Sequence, residues 1–159
     1  KKLAWFGFGP VSPSVWLSPH ERLDEVRATF ADEPAVRLEL FRSRSAGDAA
    51  ARELAARAWD LDGLDRDYRA LLDTYRPRLP QYRAGEPAGV DALVERMRLV
   101  HDYRHFPFRD PDLPPDLLPA DWSGRRAHET FLEAHGLLRQ PAETWVDALL
   151  GEGARPAAS

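Results

Sequence analysis

The chain has no cysteine and no asparagine, a single methionine and only two lysines among 159 residues. Without cysteine there are no disulfides, no thiolate chemistry and no sulfur-based zinc site. Lysine stands only at positions 1 and 2, so arginine carries nearly all the positive charge. That bias, with the abundance of alanine, reads as a GC-rich genome and not as a function. Basic excess is missing too: 26 acids against 22 bases leave a net charge of −4, the reverse of what a nucleic-acid grip requires. No apolar run approaches the ~20 residues that cross a bilayer. The opening Lys1-Lys-Leu-Ala-Trp-Phe-Gly7 is too short for a secretion signal. A soluble chain in a reducing cytoplasm is expected. The only methionine is Met97, and the chain opens on an apolar cluster without a capping signal, so the expectation is the back part of a longer protein.

What is present in quantity is proline, and it is concentrated. Arg104-His-Phe-Pro-Phe-Arg-Asp-Pro-Asp-Leu-Pro-Pro-Asp-Leu-Leu-Pro-Ala-Asp-Trp122 holds five of the fourteen prolines, with four acids, two arginines and three aromatics. Each proline fixes its own φ and drives its predecessor out of the helical region. Leu113, Leu117 and Leu118 supply apolar anchors. A long loop without regular structure is uncommon unless functional or disordered, and the apolar content argues against disorder.

Along the chain, Lys1 to Phe6 reads as the end of a helix capped by Gly7. Gly9 to Leu17 reads as a turn into a strand. Ser18-Pro-His-Glu21 carries the signature of a helix start, with Ser18 as cap and Pro19 first. The helix would bury Leu23, Val26 and Phe30. Ala35 to Arg42 alternates, with Val36, Leu38 and Leu40 on one side, and predicts a strand. Helical spacing then predicts helices over Asp48 to Trp59, Leu61 to Tyr75 and Val90 to Tyr103, the last turning Leu93, Val94, Met97 and Val100 inward. Two more are expected, Arg125 to Leu138 and Ala142 to Leu150, separated by Pro141. The tail from Gly151 to Ser159 lacks large apolar residues and is expected to be disordered. There is no internal repeat and no heptad run. The fold class is therefore α+β: an α/β part over 1–45, a helical part over 46–150 and a tail over 151–159. Two strands make too small a sheet to stand alone, which implies upstream strands or a partner chain.

Three blocks carry a likeness to a known family: Phe6-Gly-Phe-Gly-Pro-Val-Ser-Pro-Ser-Val-Trp-Leu-Ser-Pro19, Ala58-Trp-Asp-Leu-Asp-Gly-Leu-Asp-Arg-Asp-Tyr68, and Phe106 to Trp122 with Gly124-Arg-Arg-Ala127. In this order they resemble the PaaX family of bacterial regulators, over nearly the whole chain to about Leu150. The resemblance implies a full protein with an N-terminal winged helix that binds operator DNA, a central ferredoxin-like domain similar to Cas2, and a helical C-terminal domain. The winged helix and the first central strand are absent from this chain, so its α/β part is an incomplete ferredoxin-like unit. The resemblance further implies a transcriptional repressor of phenylacetate-type catabolism, a homodimer, released from DNA by an aryl-acyl-CoA such as phenylacetyl-CoA. It implies neither an enzyme nor a cofactor nor a membrane partner. Two other readings stay open, a Cas2-like metal-dependent nuclease and a purely structural dimerisation module.

Residue by residue, Arg104, Arg109, Arg125 and Arg126 flank the proline segment and suit the phosphates of an acyl-CoA. Arg125 and Arg126 fall in the first turn of a helix, whose amides favour anions. Phe106 and Trp122, with Phe108, suit an aromatic acyl group. The plainer alternative pairs these arginines with Asp102, Asp110, Asp112, Asp116 and Asp121, making the segment a brace, and puts the aromatics in the core. His101 and His105 stand at a metal-ligand spacing, yet two polar residues at a helix C-terminus explain them equally. Asp60 to Asp67 lacks the glycine and bidentate glutamate of a calcium loop, so Asp60 or Asp62 is expected to cap the following helix. No nucleophile elbow or phosphate loop surrounds Ser12, Ser14 or Ser18.

Overall fold

Gly7 is where the first helix stops, and the reason is local. In the computed structural model, which describes residues 2–153, α1 (Lys2–Trp5) ends with Gly7 at φ 78°. Its N–H donates to the Ala4 carbonyl and that of Phe8 to the Leu3 carbonyl, the left-handed cap that glycine adopts without a Cβ penalty. Lys1 lies outside the described residues. Packing divides the chain into two units, Lys1–Leu64 with Pro107–Asp121, and Asp65–Phe106 with Trp122–Ser159.

In the first unit, β1 (Gly9–Ser12) and β2 (Val15–Leu17) form an antiparallel hairpin in which Gly9 pairs with Leu17 and Pro10 with Trp16. The ladder is irregular between Pro10 and Ser12, where proline cannot donate. So small a sheet is marginal alone, and it is backed by α3 (Asp48–Ala58). The approach is close: a Cβ at Gly9 would stand 2.6 Å from the Trp59 ring and 2.8 Å from the Ala58 Cβ. α2 (Leu23–Thr29) buries Val26 completely. It starts four residues later than the capping signal at Ser18 and Pro19 predicts. The Ser18 hydroxyl accepts the His20 N–H at 3.1 Å, and the His20 ring meets the Pro111 carbonyl at 2.9 Å. These bonds hold residues 18–22 in a bend. The strand expected over Ala35 to Arg42 does not form. Val36 and Phe41 are exposed, and with a sheet of only β1 and β2 among the described residues, the segment has no ladder to join.

The second unit is helical. α4 (Leu61–Tyr75) has the predicted bounds, and from Asp65 onward it contributes Tyr68, Leu71, Leu72 and Tyr75 to the core. A 3-10 turn, Arg76–Arg78, leads into α5 (Leu79–Arg83), and Pro77 and Pro80 stand within the first two positions of these elements, where proline suits a helix start. α6 (Gly89–Tyr103) packs along α8 (Gly124–Gly153), and the short α7 (Phe106–Arg109) begins the proline segment between them. Two expectations fail here. α8 runs unbroken through Pro141, because Leu138 and Ala142 on either side are both buried on the packed face and tertiary contact outweighs the missing hydrogen bond. α6 is rotated from the predicted face: Ala92, Glu95 and Leu99 point inward, while Val94, Met97 and Val100 are exposed. The residues expected to start a disordered tail, Gly151 to Gly153, are the last of α8, and residues 154–159 lie outside the described residues.

Candidate functional site

The proline segment finds its anchors in the first unit. Pro111 and Leu113 are buried, and the Asp110 carboxylate accepts the Asp112 N–H at 2.8 Å, closing a tight turn with Asp112 at φ 50°. Beyond it a 3-10 turn, Pro115–Leu117, packs on α3, and Arg52 of α3 donates to the Asp116 carbonyl at 3.3 Å. Between them lies a cavity of about 220 Å³, walled by Trp59, Leu61, Leu117, Leu118 and Pro119, with Arg52 at its edge. The walls are apolar, as ligand pockets tend to be. Two carboxylates, Asp60 and Asp62, also reach it. Asp60 caps α4, accepting the Gly63 N–H at 2.9 Å, as the sequence predicts. Arg52 does not stand out in the sequence, although Arg52, Ala56 and Trp59 are four and then three apart and so share a helix face; Trp59 falls within the second of the three family blocks.

In the second unit the end of the segment meets α8. Phe106 is 2% exposed and stacks on Tyr68 at 4.2 Å between ring centroids, and Trp122 meets Tyr68 edge-on at 5.6 Å. The Phe106 ring is thus committed to an aromatic core, and Trp122 is half-buried beside it. The start of α8 is pinned by Asp65, whose carboxylate accepts the buried Ser123 N–H at 2.8 Å and pairs with Arg69 at 2.8 Å. Arg126 donates to the Ser123 hydroxyl at 3.2 Å. Arg104 and Arg125 are exposed, and Arg109, also exposed, belongs to the first unit. Asp102 takes the Tyr75 hydroxyl at 2.7 Å. Exposed His105 stacks on Phe106, His101 is exposed on α6, and no three His, Asp or Glu side chains converge among the described residues.

The second unit also holds a polar cluster. Glu95, 8% exposed, accepts the Tyr82 hydroxyl at 2.6 Å and pairs with Arg78. Burial alone would raise the Glu95 pKa, but the hydrogen bonds from Tyr82 and Arg78 and the charges of Arg78 and Arg98 outweigh it and hold the carboxyl below its ordinary value. Tyr82 is pushed up to about 12, by burial first and then by its bond to Glu95. The cluster ties α5 to α6 and is fully partnered.

A two-stranded hairpin packed on α3 is thus followed by a predominantly helical part. Comparison with known families finds two consecutive segments. Residues 1–55 match the PaaX protein central Cas2-like domain, and residues 59–148 match the PaaX-like protein C-terminal domain. The chain belongs to the PaaX family. A curated relative, the transcriptional repressor PaaX of Escherichia coli (strain K12), is 30% identical over 158 residues, which cover 92% of this chain and 48% of the relative. The chain spans about half the length of the curated relative it matches. Among the described residues no helix is long and apolar enough to cross a membrane.

Proposed function

We propose that this chain is the effector-sensing and dimerising portion of a cytoplasmic PaaX-type transcriptional repressor. Operator DNA is read by a winged helix elsewhere in the full protein, and an aryl-acyl-CoA, phenylacetyl-CoA being the type case, releases it. The carrying observation is that two family segments match in their proper order over nearly all of the chain, alongside a relative that is a repressor. In this reading residues 1–45 complete a ferredoxin-like unit with strands outside the chain, and residues 46–150 form the sensing domain. The proline segment walls the acceptor cavity with Leu117 and Leu118, and Trp59 offers a ring to an aryl group. On the second unit Arg104, Arg125 and Arg126 are the candidates for phosphates, and Phe106 and Trp122 the aromatic candidates; on the first unit Arg109 is the candidate by itself. A ligand that prefers one arrangement of the dimer shifts its population and so lowers operator affinity.

The test is operator release by aryl-acyl-CoAs, measured on the full protein by fluorescence anisotropy. The wild type should release in proportion to ligand. Arg109→Ala with Arg126→Ala should raise the half-effective concentration at least tenfold, since each charged hydrogen bond is worth about 1.5–3 kcal/mol. An unchanged response removes the arginines from the site. No response in the wild type removes the effector class.

A further inference from the structure

The face of α6 that the second unit leaves outside is the apolar one. Val90, Val94, Met97 and His101 follow one another at spacings of four, three and four, and Val90, Val94 and Met97 are 46%, 37% and 64% exposed. Leu93 and Val100 border this stripe on one side, Asp91 and Arg98 on the other. The opposite face holds Ala92 and Leu99, fully buried, and Glu95, which Tyr82 and Arg78 neutralise. A soluble helix ordinarily turns its apolar stripe inward. Here a charged residue with dedicated partners is inside and a seam of the kind that pairs helices is outside.

We propose that this seam pairs with the same seam of a second copy of the chain, the two α6 helices running antiparallel about a twofold axis between Val94 and Met97. The charges select this occupant and this direction. A twofold axis makes the contact self-complementary. It sets Val94 against Met97 of the second copy and Val90 against His101. On one border Asp91 then meets Arg98 of the second copy, twice by symmetry, and on the other Leu93 meets Val100. A parallel pair would instead set Leu93 against Asp91 of the second copy and Val100 against Arg98, leaving each charge beside an apolar residue, and would form neither ion pair. Arg98 is well exposed and makes a long, 3.9 Å approach to Glu95, so it is available to a second copy. The proposal rests on the dimeric reading above and names the surface it uses.

Sedimentation equilibrium of the full protein tests it. The wild type is expected to be a dimer, and Met97→Glu, at an exposed position, to raise the dissociation constant at least tenfold with helix content unchanged by circular dichroism. Asp91→Arg and Arg98→Asp should each weaken the dimer about tenfold, since each faces like charge in its own homodimer. An equimolar mixture of the two should restore dimers, because every border pair is again of opposite sign. A wild-type dimer that tolerates Met97→Glu, or a mixture that stays dissociated, overturns the α6 seam while leaving a dimeric regulator intact. A monomeric wild type overturns both.

Discussion

Glu95 is an acid where the helix pattern calls for an apolar residue, and its three partners decide its effect. Removing a carboxylate from a buried, hydrogen-bonded pair strands the other side, so Glu95→Ala should cost about 2 kcal/mol, less than for a fully buried pair because Arg78 is 44% exposed. The titrations add a pH dependence at each end. The folded Glu95 carboxyl lies below its ordinary value, so its contribution is complete above the ordinary carboxylate value and is lost as pH falls from there through the lowered folded value. Tyr82 works in the other direction. Its folded pKa is raised from 10.0 to about 12, so its contribution is complete below pH 10 and disappears as pH rises towards 12. Urea unfolding across pH should show both losses, with Glu95→Gln flattening the acid limb and Tyr82→Phe the alkaline one.

At the scale of elements, proline behaves in three ways in this chain. Pro77 and Pro80 begin helical turns, where the missing N–H has no consequence. Pro107 to Pro119 stiffen a segment that Pro111 and Leu113 bury and Arg52 holds. Pro141 sits inside α8 and costs a hydrogen bond and a steric clash with the preceding turn. Helix interiors disfavour proline by about 3 kcal/mol relative to alanine. Part of this is already absorbed by adjustment around Pro141, so Pro141→Ala should stabilise the chain by about 1–2 kcal/mol, read as a rise in Tm. The helices α3, α4 and α6 were legible from spacing and flanking breakers to within a residue or two. The strand at Ala35 to Arg42 was misread because alternation signals a preference and a ladder needs a neighbour. The division of α8 was misread because local propensity was weighed without the packing of Leu138 and Ala142.

For the whole molecule, the proposed reading puts the operator grip outside this chain. A chain with net charge −4 releases few counterions on duplex DNA. Residues 1–159 alone should leave operator DNA unretarded in a gel shift near physiological salt, whereas the full protein should retard it. Of the candidate site, the sequence singled out the proline segment with its leucine anchors and the Asp60 cap, because prolines, acids and capping residues act through their immediate neighbours. It did not single out Arg52, which looks ordinary on an alanine-rich helix until the segment more than fifty residues later lies against it, and it marked Trp59 only as part of a family block. The same division runs through the fold. Composition and periodicity by themselves determined the helical character and the bounds of α3, α4 and α6, and the three motif blocks carried the family resemblance, since these depend on local backbone preference and on residue order. Tertiary structure alone decided which face of α6 turns inward, that Phe106 is spent on Tyr68, and that α8 passes through its proline, since each depends on which distant surface is available to be buried.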